Sequence, residues 1–347
     1  MESLNVLVTG AGALVGQGVL RSLRMASRPL RLVTADPDHR AAGHWLGHCA
    51  YTIPMATDPA FLPRVEEIIQ RERISILFIG TDVELILLSR ERENLERKFG
   101  VRIAVSPLRV IQIADDKWLT AKFFEEEGFP FVRSALSDDR QGIQRLIDTV
   151  GFPILVKPRI GARSVGVQIA KDRETLEDMC LSRSDLVAQE LLSENQGEFT
   201  SGCLVAKGRC RAVVVLKRDL KDGNTYRAYA DTTGRFDRRI AAMAERLGVE
   251  GPANFQFRIR DGEPVVFEIN ARFSGTTPLR CFFGFNEVEA WLNHLADGAP
   301  IPEAQIRNGV VFRTWSDIFV APEQLEELQN SGRLETPTCR SHPFVND

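Results

Sequence analysis

The sequence predicts a mixed α/β and α+β protein, with an N-terminal doubly wound parallel sheet followed by mainly antiparallel sheets. Strands and helices alternate with short links over residues 1 to about 112, an order typical of a parallel sheet. From Ile154 onwards short strands dominate and few helices separate them, which favours antiparallel pairing. The chain has 347 residues, which is enough for about two domains.

Composition and charge narrow the classes of function. Hydrophobic residues make up 44% and charged residues 26% of the chain, as in folded globular proteins. The net charge of −3 leaves no cationic surplus for nucleic acid or anionic lipid, so neither is an expected partner. No signal or transmembrane segment is expected, and six cysteines without a Cys-x-x-Cys pair indicate a reducing compartment, the cytoplasm.

The N-terminal region opens with a short apolar strand that runs into a glycine-rich turn and an amphipathic helix. The predicted strands are residues 4–9, 31–35, 74–79 and 101–105, and the predicted helices end near Met25, Arg73 and Phe99.

The glycine-rich turn is close to a dinucleotide-binding fingerprint but one residue longer. Gly10, Gly12 and Gly16 are spaced G-x-G-x-x-x-G, and Asp36 ends the second strand, where a ribose-binding acid would lie. An NAD(P)-dependent oxidoreductase is therefore an alternative function. We prefer the simpler interpretation, in which the glycines permit a tight turn and close packing.

The pattern changes near residue 113, where a second domain is predicted to begin with a helix at about 116–127. The predicted strands that follow are 154–158, 165–170, 186–191, 198–206, 210–217, 226–231, 253–260 and 263–269, with helices near 173–181, 236–247 and 285–297. The proline-rich tail from about 299 is predicted to form a peripheral cap with a strand at 309–314 and a helix at 322–331.

A strand that ends in Lys157 is followed by a loop containing Gly161, Ser164 and Gly166. Glycines let backbone N–H groups approach a polyphosphate closely, and the lysine supplies positive charge. The hairpin therefore predicts a phosphate site. A plain glycine-rich turn with a solvated lysine is the alternative.

The strand that ends in Gln189-Glu190-Leu-Leu192 is able to present main-chain groups to an adenine edge, and Glu198 to accept hydrogen bonds from ribose hydroxyls. Taken singly, these residues are better explained as an edge strand followed by an exposed acid.

The third motif is a predicted hairpin around Asp261-Gly262 that carries amide and carboxylate side chains. Alternate strand residues share a face, so Asn254 and Gln256 lie on one face of the first strand and Glu268 and Asn270 on one face of the second. Gln256, Glu268 and Asn270 offer hard oxygen ligands that suit Mg²⁺ bridging nucleotide phosphates, with Mn²⁺ also accepted.

In their order and spacing these motifs resemble the ATP-grasp enzymes, especially the carbamoyl-phosphate-synthase-like branch, over residues 1 to about 298. The resemblance implies a pre-ATP-grasp domain (1–112), an ATP-grasp domain (113–298) and a C-terminal cap (299–347). Within the ATP-grasp domain it implies a lid subdomain over about 113–188 and a metal-binding subdomain over about 189–298.

The resemblance also implies a role for each motif residue. Nucleotide contacts are expected from Lys117, Lys157, Gly161, Ser164, Gly166, Gln189, Glu190, Leu192 and Glu198, and Mg²⁺ contacts from Gln256, Glu268 and Asn270. Arg272 is expected to face the transferred phosphoryl group. Lys217 and Arg218, at the end of another strand, are candidates for substrate contact, although a solvated strand end explains them equally well.

The implied function is an ATP-dependent ligase with ATP and Mg²⁺ as cofactors. A small-molecule carboxylate would become an acyl phosphate, with release of ADP, and an amine or similar nucleophile would then displace phosphate. There is one grasp unit where carbamoyl phosphate synthase has two, so carbamoyl phosphate synthesis is not carried over. Use of bicarbonate and a catalytically weak ATP-binding regulatory subunit are alternatives, and the substrates stay open, as does a homodimeric state.

Overall fold

The computed structural model describes residues 3–161, 165–314 and 316–341. Its N-terminal elements are β1 (Leu4–Thr9), α1 (Leu14–Arg24), β2 (Leu30–Asp36), β3 (Cys49–Thr52), α2 (Phe61–Arg71), β4 (Ile76–Ile79), α3 (Leu85–Phe99) and β5 (Arg102–Ala104). Short 3₁₀ helices lie at Ala42–Leu46 and Asp82–Glu84.

The elements that follow begin with two consecutive helices. They are α4 (Leu108–Asp115), α5 (Lys117–Glu126), β6 (Ser134–Leu136), α6 (Arg140–Val150), β7 (Ile154–Pro158), β8 (Gln168–Ala170), α7 (Arg173–Ser182), β9 (Leu186–Glu190), β10 (Glu198–Ala206), β11 (Arg209–Lys221) and β12 (Asn224–Ala230). The chain continues with α8 (Asp237–Leu247), β13 (Gly251–Arg260), β14 (Glu263–Asn270), α9 (Thr277–Phe282), α10 (Glu287–Asp297), β15 (Val310–Phe312), β16 (Ile318–Phe319), α11 (Pro322–Ser331), β17 (Arg333–Glu335) and β18 (Arg340–Ser341).

The N-terminal sheet has the strand order β17-β3-β2-β1-β4-β5. Strands β1 to β5 are parallel, as the alternation of strands and helices predicted. The C-terminal strand β17 adds to the edge antiparallel to β3, so the tail contributes to this sheet as well as to the protein surface.

The two larger remaining sheets are antiparallel, as predicted. One has the order β14-β13-β10-β11-β12-β15 and the other β6-β9-β7-β8. Strand β15 pairs with β12 at the edge of the six-stranded sheet, so the tail contributes here too. The fold class expected from the sequence is therefore confirmed.

One contiguous apolar core joins the N-terminal sheet to the six-stranded antiparallel sheet. It includes Leu77 of β4, Phe124 of α5 and Phe255 of β13, all fully buried. Burial of such side chains is the main stabilising term, at roughly 1.5–3 kcal/mol for each. The shared core holds the carboxyl ends of β1 and β4 beside the hairpin formed by β13 and β14.

Candidate nucleotide and metal site

A cavity of about 420 Å³ brings most of the predicted site residues together. Its lining includes Lys117, Lys157, Gly161, Gln189, Glu190, Leu192, Glu198, Arg218, Gln256, Glu268, Asn270 and Arg272. Gly166 and Lys217 are not among the lining residues. Ser164 lies outside the described residues.

The predicted metal hairpin forms with the expected register. Asn254 pairs with Asn270 and Gln256 with Glu268 across β13 and β14. The turn places Asp261 at φ 53° and Gly262 at φ 80°, a left-handed conformation that Asp-Gly adopts readily. The hairpin thus presents alternate side chains of both strands to the cavity.

The amides on this hairpin converge on one carboxylate oxygen. Glu268 Oε1 accepts hydrogen bonds from Gln256 Nε2 at 2.9 Å and from Asn270 Nδ2 at 3.1 Å. One carboxylate flanked by two amides is a donor set of hard oxygens without a thiolate, which fits Mg²⁺.

Lys117 holds the loop that follows β7. Its Nζ donates to the Gly161 carbonyl at 2.6 Å. The lysine begins α5, and the Asp116 side chain caps that helix by accepting from the Trp118 N–H at 2.9 Å. Asp116 also pairs with Arg159 at 2.6 Å, which joins the start of α5 to the same loop.

A second buried ammonium lies on β7. Burial lowers the pKa of Lys157 to about 8, and the nearby positive charge of Lys117 adds to the effect. Burial also lowers the pKa of Lys117 itself. Two poorly hydrated cations that line one cavity favour the binding of a polyanion, because its charge would compensate theirs.

Two arginines from neighbouring strands clamp Glu198. Arg218 Nη2 lies 2.6 Å from Glu198 Oε1, and Arg258 Nη2 lies 3.0 Å from Oε2. Arg218 also donates to Gln256 Oε1 at 2.5 Å, which links the clamp to the metal hairpin. Arg258 is a site residue that the sequence analysis missed, although it follows Gln256 by two on the same strand face.

Lys217 lies on the opposite face of β11 from Arg218. Arg218 pairs in register with Glu198, whereas Lys217 pairs with Phe199, a core residue. Because strand side chains alternate, only one of the two adjacent cations faces the cavity. The structure therefore does not place Lys217 where substrate contact was expected.

The end of β9 is held by side-chain bonds on both of its polar residues. Gln189 Nε2 donates to Ser134 Oγ at 2.8 Å, while Gln189 Oε1 is buried without a partner among the described residues. Glu190 Oε1 accepts from the Arg133 N–H at 2.8 Å and from Arg260 Nη1 at 2.6 Å. Gln189 thus lines the cavity and carries a buried acceptor without a partner among the described residues.

Arg272 forms a bidentate ion pair with a residue of the N-terminal region. Its Nε and Nη2 lie 2.7 Å and 2.6 Å from the two carboxylate oxygens of Asp82. Nη1 donates to the Phe273 carbonyl at 2.9 Å. Asp82, which follows β4, also lines the cavity and is a second residue that the sequence analysis did not assign.

A buried ion pair supports the metal hairpin from behind. Arg280 and Glu287 are almost completely buried, with Nη1 and Oε1 2.6 Å apart. Arg280 Nη2 donates to Asn254 Oδ1 at 2.7 Å, and Thr200 Oγ1 donates to the same oxygen at 2.8 Å. A side chain at Gly202 would place its Cβ 2.5 Å from the Arg280 guanidinium, so glycine is required there.

The N-terminal glycine-rich turn is packed against protein. Asp36 Oδ2 accepts from the Gly12 N–H at 2.7 Å and Oδ1 from the Asp38 N–H at 3.0 Å. A Cβ at Gly43 would lie 2.0 Å from the Ala11 carbonyl, because the first 3₁₀ helix packs directly on the turn. This arrangement agrees with the packing interpretation of the glycines and leaves the NAD(P) alternative without support.

Two family models match overlapping stretches of the chain. Residues 182–317 match the model described as ATP-grasp in the biosynthetic pathway with Ter operon. Residues 114–237 match the RimK-like ATP-grasp domain. Together these matches cover residues 114–317 and agree with a single ATP-grasp unit, as the resemblance of the motifs implied.

Its curated relatives include carbamoyl phosphate synthase large chains. The protein from Myxococcus xanthus is 26% identical over 306 residues, which cover 79% of this chain and 28% of the relative. The arginine-specific mitochondrial large chain of Neurospora crassa is 24% identical over 304 residues, covering 79% and 26%. The chain thus spans about a quarter of the length of these relatives.

Solved structures with the same fold include ATP-grasp enzymes bound to nucleotide. The N5-carboxyaminoimidazole synthetase of Staphylococcus aureus, complexed with ADP, has a TM-score of 0.68 at 14% identity and covers 95% of this chain and 87% of that chain. The biotin carboxylase domain dimer of Hydrogenobacter thermophilus 2-oxoglutarate carboxylase, with MgADP and bicarbonate, has a TM-score of 0.70 at 16% identity, covering 89% and 74%. The predicted cofactors, ATP and Mg²⁺, agree with these complexes.

None of the helices in the described part of the chain is both long and apolar enough to cross a membrane.

Proposed function

We propose that this chain is an ATP-dependent ligase that activates a small-molecule carboxylate as an acyl phosphate and transfers the acyl group to an amine or a similar nucleophile. One observation carries the proposal. Two buried lysines, a carboxylate flanked by amides and an arginine line the same cavity in an ATP-grasp fold. The two lysines suit a polyphosphate, and the carboxylate with its amides suits the metal ion of that polyphosphate. The arginine suits the negative charge of the transferred phosphoryl group.

In the proposed mechanism the residues act by positioning and by charge. A carboxylate oxygen of the substrate attacks the γ-phosphorus of ATP, and the bond to the β–γ bridging oxygen breaks to release ADP. The amine nitrogen then attacks the acyl carbon, the bond to the phosphate oxygen breaks, and the amine loses a proton. Lys117 and Lys157 neutralise phosphate charge, and Arg272 stabilises charge on the transferred group.

Gln256, Glu268 and Asn270 would hold Mg²⁺, which when bound neutralises charge on the β- and γ-phosphates. Glu198 would accept from the ribose hydroxyls, with Arg218 and Arg258 fixing its carboxylate. The Arg218 ion pair argues for this supporting role in place of direct substrate contact.

A screen for phosphate release tests the proposal. Purified protein is incubated with MgATP and pooled carboxylates and amines, and Glu268→Gln serves as the matched control. We expect release of phosphate that depends on both pools and is lost in the variant. Tight MgATP binding without turnover in any pool would instead favour the catalytically weak regulatory subunit.

The setting of this activity is also part of the proposal. All six cysteines are free thiols, which suits a reducing cytoplasm. The dimeric biotin carboxylase domain among the solved neighbours supports a homodimer. We keep the predicted domain boundaries at residues 112 and 298. With these boundaries β17 belongs to the cap, although it pairs with β3 of the pre-ATP-grasp domain.

A further inference from the structure

Arg313 is a cation in the cavity wall that comes from the C-terminal segment. It follows β15 directly, and its backbone N–H donates to the Tyr226 carbonyl at 3.0 Å, which ties it to the six-stranded sheet. Its side chain is partly buried and lines the cavity. The sequence analysis assigned no role to this residue.

The Arg313 guanidinium has few partners. Nη2 donates to the Gly275 carbonyl at 2.5 Å, and Nε is buried with no hydrogen-bond partner among the described residues. Burial and the positive charge of Arg21 lower the pKa of Arg313. An arginine in this state is short of anionic contacts.

The other arginines of the cavity differ in this respect. Arg218 and Arg258 both pair with Glu198, and Arg272 pairs with Asp82. Each of these cations is therefore neutralised within the protein. Arg313 has no such acid within 4.0 Å in the described part of the chain. A negatively charged ligand in the cavity would therefore compensate its positive charge.

The residue whose carbonyl Arg313 binds, Gly275, lies beside the first turn of α1. A Cβ at Gly275 would lie 2.8 Å from Leu14 Cδ2. Leu14 and Val15 line the cavity, and Ala13, at the N-cap, provides no side-chain hydrogen bond to the helix. The positive end of this 11-residue helix and Arg313 therefore line the same cavity, and both favour an anion.

We propose that Arg313 binds an anionic group, a carboxylate or a phosphate, of the substrate that is not ATP. This inference rests on the proposed function, because it assumes that nucleotide phosphates occupy the subsite of Lys117 and Lys157. Those lysines come from α5 and β7, whereas Arg313 belongs to a wall formed by α1, Gly275 and the C-terminal segment. The non-nucleotide substrate is therefore an anion, held by a contact that a neutral analogue would lose.

Calorimetry with malonate and with inorganic phosphate tests this assignment on protein saturated with MgADP. We expect Arg313→Met to weaken binding of the preferred anion on the order of tenfold or more, because a charge-assisted bond is lost. MgADP affinity should be unchanged. Arg227→Met, on the adjacent strand β12 and outside the cavity lining, is the matched control and should bind like wild type.

Arg313→Lys separates charge from folding. It should retain part of the anion affinity, since an ammonium keeps the charge but not the planar fork of the guanidinium. A preference for malonate would indicate a carboxylate substrate, and a preference for phosphate a phosphorylated one. Equal affinity in wild type and Arg313→Met would overturn the assignment, as would failure of both anions to bind wild type.

A different observation would contradict the proposed function, namely the absence of MgADP binding or of ATP turnover. Each anion is therefore also titrated without nucleotide, in a variant that carries Lys117→Met and Lys157→Met, because the empty lysine subsite would otherwise bind the anion as well. Dependence on Arg313 in that experiment supports the anion subsite even if the nucleotide does not bind, and independence from Arg313 rejects it.

Discussion

The ion pair between Arg272 and Asp82 predicts how stability and activity should separate. Asp82→Asn removes the negative charge at nearly constant volume. The Arg272 side chain is 9% exposed and that of Asp82 44% exposed, so the pair is buried on one side only. Breaking a fully buried pair costs roughly 3–5 kcal/mol, and an exposed pair contributes about 0.2–1 kcal/mol.

Asp82→Asn should therefore cost about 1–2 kcal/mol, since the amide keeps one acceptor oxygen and water reaches the open side. The melting temperature, followed by tryptophan fluorescence, should fall by a few degrees. Arg272→Ala should cost a similar amount, because the half-exposed Asp82 is rehydrated.

Activity measurements test whether Arg272 has a catalytic role as well as a structural one. If Arg272 stabilises the transferred phosphoryl group, Arg272→Ala should lower kcat on the order of 10²- to 10³-fold while calorimetry finds MgATP affinity little changed. Arg272→Lys should recover only part of kcat. The contrary result is that melting temperature and MgATP affinity fall together in Arg272→Ala, while the nucleotide-saturated variant keeps its acid-dependent kcat. Arg272 would then have only a structural role, and its proposed catalytic role would be refuted.

Four further predictions concern charged side chains. Glu268→Gln should abolish metal-dependent turnover and keep the wild-type melting temperature; full turnover of this variant, or of wild type in excess chelator, would contradict the metal assignment. The pKa of Lys157 lies at about 8, below its ordinary value of 10.5, and bound phosphate should raise it. MgADP binding near pH 8 should therefore take up protons and weaken as the pH rises. Calorimetry in buffers of different ionisation enthalpy measures this proton uptake. In the nucleotide-free protein the same lowered pKa should make stability rise between about pH 8 and 10.5, because the unfolded chain binds the proton more tightly than the folded one. A flat profile of stability against pH in both Lys157→Met and wild type would contradict this. Arg280→Met leaves Glu287 buried without its cation and should cost roughly 3–5 kcal/mol, whereas Arg209→Met, at a pair with one partner 73% exposed, should change stability by less than about 1 kcal/mol in the same melting assay.

The parts of the site that the sequence predicts are those set by local pattern. Asp261-Gly262 favours a tight turn, and alternation then determines which residues of the two strands share a face. Gln256, Glu268 and Asn270 could be grouped for that reason before any contact was known.

The parts that were missed depend on contacts distant in sequence. Asp82 and Arg272 are 190 residues apart, and β17 reaches β3 across most of the chain. Which of Lys217 and Arg218 faces the cavity depends on the register of β11 against β10, which no local pattern encodes. Arg313 was missed because what sets it apart is that, among the described residues, it forms no ion pair where the other cavity arginines do.

The small element β3 was missed for a different reason. Cys49, Ala50 and Tyr51 are fully buried, so the strand lacks the alternation of polar and apolar residues that marks a half-exposed strand. A four-residue buried strand is also too short to stand out from a loop.

Isotope transfer tests whether ATP converts the carboxylate into an acyl phosphate. The protein is incubated with MgATP, an amine pool and carboxylates labelled with ¹⁸O in the carboxyl group, and the nucleotide and phosphate products are analysed by mass spectrometry. We expect ADP together with inorganic phosphate that carries one ¹⁸O atom from the acid. AMP and pyrophosphate, or phosphate free of ¹⁸O in a reaction that consumes the acid, would contradict this expectation.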